Sequence, residues 1–406
     1  MASRRTKLHP GVVRSRLSFP LLAYAFAAIM LGTTVPTPMY ALYAEQMDFG
    51  VVTTTVIYAM YAGGVLFALV AFGRWSDVIG RRPILLAGVV AAVASAAVFL
   101  TADSVAVLSV GRVLSGLSAG LFTGTATAAV IEAAPPSWRT RAAAVATIAN
   151  IGGLGAGPLV AGLLVQYAPR PLQPSFVVHI VLALLAGAAV LLAPETSERT
   201  GRIGVQRLSV PAEVRAVFVI AAIAGFAGFA VTGLFMAVAP SFVADVAGIG
   251  NHAVAGLVAS SIFLASAVTQ VAVGGMEPQR AVAVGCAILI AGMVILAAAL
   301  VFTSLIGLIA AGLVSGVGHG IAFSRGLAAI AERTPAERRA EVNSTYFVIG
   351  YVAISLPVIG EGLAAQTWGL RAAGVSFAVA VAVLAGICLA AILVRESRES
   401  GRAART

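Results

Sequence analysis

Residues 142–168 read AAAVATIANIGGLGAGPLVAGLLVQYA, 27 residues without a charged side chain. Inside this run, residues 152–162 (GGLGAGPLVAG) hold five glycines and a proline in eleven positions. In water such a helix is poor, because Gly costs about 1 kcal/mol and Pro about 3 kcal/mol relative to Ala in a helix interior. In a bilayer the balance differs. No water satisfies backbone N–H and C=O groups there, so an apolar segment of this length bonds internally as a helix. Small residues then become useful, since they let neighbouring helices approach closely. The stretch reads as a membrane helix shaped for contact with other helices.

Extending outward, charged and Pro/Gly-rich breaks leave twelve apolar stretches, each near the roughly 20 residues that cross a bilayer. They fall at 17–40, 52–72, 84–101, 105–130, 142–166, 174–193, 215–238, 254–274, 281–302, 305–329, 343–365 and 372–394. We number them span 1 to span 12. Of the 406 residues, 60% are hydrophobic and 10% charged, whereas a soluble domain carries about 25% charged residues. The runs lack the polar/apolar alternation of barrel strands. The expected fold is an all-α membrane protein of twelve transmembrane helices in two pseudo-symmetric six-helix bundles, residues 1–193 and 215–406, joined by a central loop at 194–214.

The net charge of +10 follows this layout. With the N-terminus in the cytoplasm, 23 of the 26 Lys and Arg residues fall on cytoplasmic segments, Arg170 and Arg371 lie outside, and Arg112 is within span 4. The positive-inside rule then puts both termini in the cytoplasm and the protein in the cytoplasmic membrane. The basic surplus faces anionic lipid rather than nucleic acid. The first 40 residues are basic and then apolar like a secretory signal, but the apolar part is too long and eleven spans follow. They read as an uncleaved first helix. Cys286 and Cys388 lie within spans and read as small apolar fillers.

Sliding the chain on itself by 200 positions brings Ser115, Gly116 and Gly120 onto Ser315, Gly316 and Gly320. It also brings Glu132, Pro135 and Arg139 onto Glu332, Pro335 and Arg339, Asp77 onto Glu277, and Gly162 onto Gly362. Parallel repeats of this kind place a substrate site between the halves near the membrane midplane. Departures from the repeat mark unequal roles: Arg112 aligns with Gly312, and Gly157-Pro158 has no in-register counterpart.

The loop between spans 2 and 3 reads GRWSDVIGRRP, residues 73–83. Gly73 and Gly80 permit a tight turn. Asp77 offers a carboxylate near helix ends, where amide dipoles favour negative charge, and Arg81 and Arg82 can anchor to headgroups or pair with acids. This loop resembles the signature loop of the major facilitator superfamily at its glycines, its Asp and its basic pair, and the twelve spans and the repeat agree with it. The resemblance implies that Asp77 bonds the cytoplasmic end of span 11 and latches the inner gate; a plain topogenic turn is the other reading.

Three further features carry function. Glu132 with Arg139 and Arg141, repeated as Glu332, Arg338 and Arg339, could form symmetric ion pairs, each worth about 0–1 kcal/mol when exposed, or a solvated charged face. Arg112, in LSVGRVLSGLSAG (residues 108–120), is the one basic residue deep in a span. An intramembrane charge is functional by default. The stretch resembles the superfamily's span-4 motif, in which Arg is tied to proton coupling, with Ser115 standing where that motif usually has Gln. Coupling or contact with a substrate anion is one reading, and a structural or snorkelling role is the other. Gly153, Gly157, Pro158 and Gly162 resemble the superfamily's span-5 antiporter motif, with Ala161 in place of one Gly, and imply an exporter that exchanges substrate for protons.

Spans 1–6 hold no carboxylate away from their ends, so the titratable candidates for coupling are His179, His319 and Glu361. The resemblance implies a cavity between the halves. Its candidate lining is Thr34, Met39, Tyr40, Phe226, Phe229, Phe235, Met236, His319, Tyr346 and Tyr351, each of which could equally face lipid. Aromatic and Met side chains suit adaptable apolar ligands. No catalytic cluster, metal site or phosphate-binding loop points to an enzyme or a cofactor, and no filter or charge ring points to a channel. The expectation is a monomeric exporter of a small amphipathic compound, driven by protons through rocker-switch alternating access. An uptake or sugar-type permease is the alternative.

Overall fold

The computed structural model describes residues 10–200 and 202–403. The tail cations Arg4, Arg5, Lys7 and Arg405 lie outside the described residues. Twelve helices are long and apolar enough to cross a membrane: Leu17–Met47, Val51–Phe72, Arg81–Leu100, Val105–Glu132, Ala142–Tyr167, Pro174–Leu192, Arg215–Ala237, His252–Ala272, Pro278–Val301, Leu305–Arg333, Arg339–Trp368 and Leu370–Arg395. They coincide with spans 1 to 12, and the described residues contain no strand.

Three spans are broken where the sequence withholds backbone donors or permits a wider turn. Span 1 stops being α-helical at Thr34, passes through a 3₁₀ turn at Thr37–Met39 beside Pro36 and Pro38, and resumes at Tyr40. Span 11 breaks between Ala353 and Leu356, just before Pro357. Span 5 opens into a π-helical turn at Ile148–Gly152 before continuing as an α-helix from Gly153. Irregular turns at membrane depth are tolerated where they are buried in protein or line a cavity.

The 200-residue repeat reappears as paired helix contacts. A methyl group added at Gly116 of span 4 would stand 2.0 Å from the Tyr61 carbonyl of span 2, and one at Gly316 of span 10 would stand 2.3 Å from the Ile262 carbonyl of span 8. One turn on, Gly120 and Gly320 press on the Val65 and Ser266 carbonyls in the same way. Each six-helix half thus repeats the same close crossing, in which only a residue without Cβ fits.

Across the halves, the two ends of the molecule differ. On one face, span 5 packs against span 8 and span 2 against span 11. A Cβ at Gly256 would lie 2.2 Å from the Pro158 carbonyl, and one at Gly362 would lie 2.4 Å from the Thr55 hydroxyl. The Thr37 hydroxyl donates to the Met236 sulfur at 3.7 Å, tying span 1 to span 7. We call this the sealed face. The opposite, basic face carries Arg74, Arg81, Arg82, Arg207, Arg338 and Arg339, and there the halves part around a cavity.

Candidate functional site

The cavity has a volume of about 1060 Å³, at the upper end of the roughly 300–1,000 Å³ usual for ligand sites. Both walls mix apolar and polar side chains. The first half presents Phe72, Leu121 and Ile151 beside Thr123, Thr127, Thr147 and Asn150, and spans 8, 10 and 11 present Gln270, Phe323, Ser324, Asn343 and Phe347. Charged residues stand at the mouth: Arg74 and Asp77 from the span 2–3 loop, Arg207 from the central loop, and Glu337 and Glu341 from the approach to span 11.

Behind the wall of the second half lies a continuous set of rings. Phe323 stacks on Tyr346 with centroids 5.9 Å apart and planes at 9°, and on His319 at 5.9 Å and 4°. Phe229 of span 7 meets His319 and Phe323 edge-on at 4.9 and 5.2 Å. His319 Nδ1 lies 2.9 Å from the Ser266 hydroxyl, which accepts from Gln270 Nε2 at 3.0 Å. His319 is fully buried and its Nε2 has no partner. A hydrogen-bonded line therefore runs from a buried imidazole to a residue of the cavity wall.

The structure redistributes the expected lining. Phe229, His319 and Tyr346 stand one layer behind the wall, and Tyr346 donates to the Ala221 carbonyl at 3.3 Å. Thr34, Met39, Tyr40, Phe235 and Met236 are buried on the sealed-face side and do not border this cavity; Phe226 does not border it either. Tyr351 meets Tyr61 of span 2 edge-on at 6.4 Å, across the two halves. The Thr, Ser and Asn residues that line the cavity, among them Thr123, Thr147, Asn150 and Ser324, were missed for a physical reason. Such residues bond their own helix, as Thr127 does to the Thr123 carbonyl at 2.6 Å, and carry no distinctive sequence signal.

The span 5 segment uses two faces. Gly153 and Gly157, one turn apart, meet span 1: Cβ atoms there would lie 2.7 Å from the Ala27 carbonyl and 2.4 Å from the Leu31 carbonyl. Gly155, Pro158 and Gly162 meet span 8 at Leu264, Gly256 and the His252–Ala253 backbone. Pro158 has no N–H to give the Leu154 carbonyl four residues earlier. The Thr34 hydroxyl of span 1 fills that place at 2.8 Å. Thr34 is thus a structural donor to the span 5 kink.

Arg112 is buried in the first half. Its guanidinium donates to the Thr33 carbonyl at 2.7 Å and lies 4.7 Å over the Tyr61 ring and 5.6 Å over the Tyr58 ring. Desolvated cation–π contacts are worth up to about 2 kcal/mol each. No carboxylate pairs with it among the described residues, and it does not border the cavity.

At the basic face, Arg81 is the hub. It pairs with Asp77 and, at 2.9 Å, with Glu132, and donates to the Ser76 hydroxyl at 2.8 Å. Asp77 therefore engages its own loop here and not span 11, from which the cavity separates it. Glu132 pairs with Arg81, and accepts from the Thr196 hydroxyl at 2.6 Å, where Arg139 and Arg141 were expected. Arg141 instead lies 5.8 Å over the Trp138 ring. In the second half Arg338 pairs with Glu341 at 3.5 Å and Arg339 donates to the Thr334 carbonyl at 3.2 Å. Arg82 donates to the Leu191 carbonyl.

Glu195, from the stretch after span 6, went unread in the sequence. Its carboxylate accepts the backbone N–H of Arg81 at 2.8 Å and Arg82 at 3.1 Å, closing the first turn of span 3, and those of Thr196 and Ser197 at 3.0 Å each. Partial burial works against its ionisation, but the four N–H groups outweigh that and hold the carboxyl below the usual Glu range. Gly80, at φ +114°, brings the backbone so close that a Cβ would lie 2.4 Å from this carboxylate. Here the loop glycine has a definite physical reason.

Two six-helix halves, a sealed face, and a cavity at the opposite face define a transporter. The chain matches the Major Facilitator Superfamily over residues 22–356 and 250–406, and belongs to that family. It is 36% identical over 112 residues to the class E tetracycline resistance protein of Escherichia coli, covering 25% of this chain and 27% of that one. It is 29% identical over 192 residues to the multidrug transporter MdfA of Escherichia coli O157:H7, covering 46% of each. A third relative is the uncharacterized MFS-type transporter YhjO of Bacillus subtilis strain 168, 27% identical over 160 residues, 39% of this chain and 40% of that one. The chain thus spans less than half the length of these curated relatives. Among solved structures, the human organic anion transporter MFSD10 (TETRAN) shares the fold, with a TM-score of 0.61 at 15% identity over 94% of this chain and 100% of that one.

Proposed function

We propose that this chain is a proton-driven exporter that carries a small amphipathic compound, a drug or metabolite, out through the cytoplasmic membrane. Residues 1–193 and 215–406 act as two rocking bundles joined by 194–214, with the basic face and both termini in the cytoplasm, and the chain works as a monomer. The described conformation is then open to the cytoplasm and shut outside.

The observation that carries this reading is the span 5 segment at the seal. Pro158 and Gly162, two of the residues that resemble the antiporter motif of exporters, hold span 5 against span 8 at the sealed face together with Gly155, while the motif's Gly153 and Gly157 hold it against span 1. The relatives named as multidrug and tetracycline resistance proteins support it. The cavity supports the substrate class. The walls combine the rings of Phe72, Phe323 and Phe347 with hydroxyls and amides, and the charges sit at the mouth. A neutral or amphipathic solute with a flat apolar part fits such walls better than a sugar phosphate or a polycarboxylate.

Transport in inverted membrane vesicles with an imposed pH gradient tests the proposal. Addition of a compound from a broad amphipathic panel should release protons from the lumen as the compound accumulates there. Substrate movement without proton movement, or accumulation only in the opposite sense, would overturn the export-by-antiport reading and favour an uptake permease.

A further inference from the structure

The central loop is fastened to both halves of the molecule at the basic face. Its start follows the first half: the Glu195 carboxylate accepts from the span 3 amides, and the Ser197 hydroxyl donates to the Asp77 carbonyl at 3.1 Å. Gln206 closes this stretch. It is 5% exposed, and its N–H donates at 2.8 Å to the Val70 carbonyl, which lies in the last turn of span 2, where helix carbonyls lack partners of their own. A Cβ on Gly73 would stand 3.4 Å from the Gln206 Cβ, so the loop and the helix end are in contact.

Three residues on, the loop belongs to the second half. The Ser209 hydroxyl donates to Glu341 Oε2 and accepts from Arg338 Nη2, each at 2.9 Å. Val210 packs on the cluster of Phe218 and Tyr346. Glu341 is in the first turn of span 11, so between these anchors the chain crosses from span 2 to span 11 on Arg207 and Leu208 alone. Gln206 and Arg207 line the cavity at this crossing.

Fully extended, residues 194–214 would reach about 70 Å, whereas the piece between the anchors, Gln206 to Ser209, reaches about 11 Å at most. The anchors thus turn a slack linker into a short tether across the cavity mouth. Narrowing of the mouth leaves such a tether slack, and widening pulls it taut. We propose that residues 206–209 are a strap that limits how far the ends of spans 2 and 11 part at the basic face, and so sets the largest solute that enters the cavity from that side. A wider solute enters only when an anchor breaks. The inference rests on the cavity being the route of the solute, as in the function proposed above.

The test uses the full chain in lipid nanodiscs, with Cys286→Ala, Cys388→Ala and Ser324→Cys on the cavity wall. The rate of reaction with fluorescein-5-maleimide is divided by the rate with the smaller N-ethylmaleimide. This ratio reads the width of the mouth, because a change that merely loosens the fold or alters thiol reactivity moves both rates together. Ser209→Ala should raise the ratio about tenfold, the effect of lowering a barrier by about 1.4 kcal/mol, which one hydrogen bond to a charged group supplies. Six Gly/Ser residues inserted between Arg207 and Leu208 add about 20 Å of reach with both anchors intact, and should raise it at least as much. The same insertion between Arg202 and Ile203, ahead of the Gln206 anchor, should leave the ratio near its native value, as should Ser209→Thr, which keeps the hydroxyl. An unchanged ratio in Ser209→Ala or in the 207–208 insertion, or an equal rise from both insertions, overturns the strap and leaves the cavity reading standing. A Ser324→Cys chain, its strap otherwise native, that ignores N-ethylmaleimide overturns the strap together with the cavity as the route. If Ser209→Ala does not reach the membrane, the two insertions carry the test.

Discussion

Replacing Thr34 by Val keeps the shape of the side chain and removes the hydroxyl that bonds the Leu154 carbonyl at 2.8 Å. That carbonyl lost its helical donor to Pro158, so the substitution leaves it without a partner in a water-free contact. Interhelical hydrogen bonds in membranes average about 0.6 kcal/mol and reach about 1.7 kcal/mol; an orphaned buried acceptor costs about 1–3 kcal/mol. With no second donor at hand the upper part of the membrane range applies, about 1.5 kcal/mol. The hydroxyl also lies 3.1 Å from the Leu31 carbonyl of its own helix, a longer contact whose loss adds little. In a Pro158→Ala background the restored N–H of residue 158 serves the Leu154 carbonyl, and the same Thr34→Val change should cost about 0.5 kcal/mol or less. The double-mutant cycle should therefore show a coupling of about 1 kcal/mol, read from reversible unfolding in mixed micelles followed by circular dichroism. Additivity within about 0.3 kcal/mol, where independent sites fall, would refute the claim that span 1 completes the span 5 kink.

Three other outcomes follow from the geometry. Gly256→Ala puts a methyl 2.2 Å from the Pro158 carbonyl; the spans must separate, at about 1–3 kcal/mol, so a cysteine placed at buried Val35 should become reactive from the sealed face. Glu195→Gln should destabilise the protein by about 1 kcal/mol at neutral pH through weaker bonds to the span 3 amides. Because the native carboxyl is held below the usual Glu value, its contribution is complete above that value and is lost as pH falls through the lower, folded-state value, so native and variant unfolding curves should converge in acid. Phe323→Ala should weaken binding of flat aromatic compounds roughly tenfold, near the 1.4 kcal/mol of one stacked ring pair, and leave aliphatic solutes nearly unchanged in equilibrium binding.

The twelve spans were legible because hydropathy is a local property, and the repeat was legible because Gly116 and Gly316 face the same steric demand in each half. Partner choice was not. Helical phase says that Gly153 and Gly157 share one face and Gly155 and Gly162 lie on another, but not that span 1 takes the first and span 8 the second. Tyr40 and Met236 suited a ligand wall by side-chain type, yet the same types fill a seal, and only the tertiary arrangement separates the two uses. Glu132 met Arg81 rather than Arg139 or Arg141 because a salt bridge answers to distance in space. Glu195 lay in a stretch without periodicity, so nothing local announced its carboxylate at the span 3 amides.

The central claim is that one cavity, walled by Phe323 and Ser324, is reached from the two faces in turn. Its most direct test is Ser324→Cys, in a chain with Cys286 and Cys388 replaced by Ala, probed with a membrane-impermeant maleimide from each side of oriented vesicles. At rest the cysteine should react from the basic face only. Under an imposed pH gradient with substrate present it should also react from the sealed face, while its reaction from the basic face slows. Reaction from one face under every condition would contradict the account.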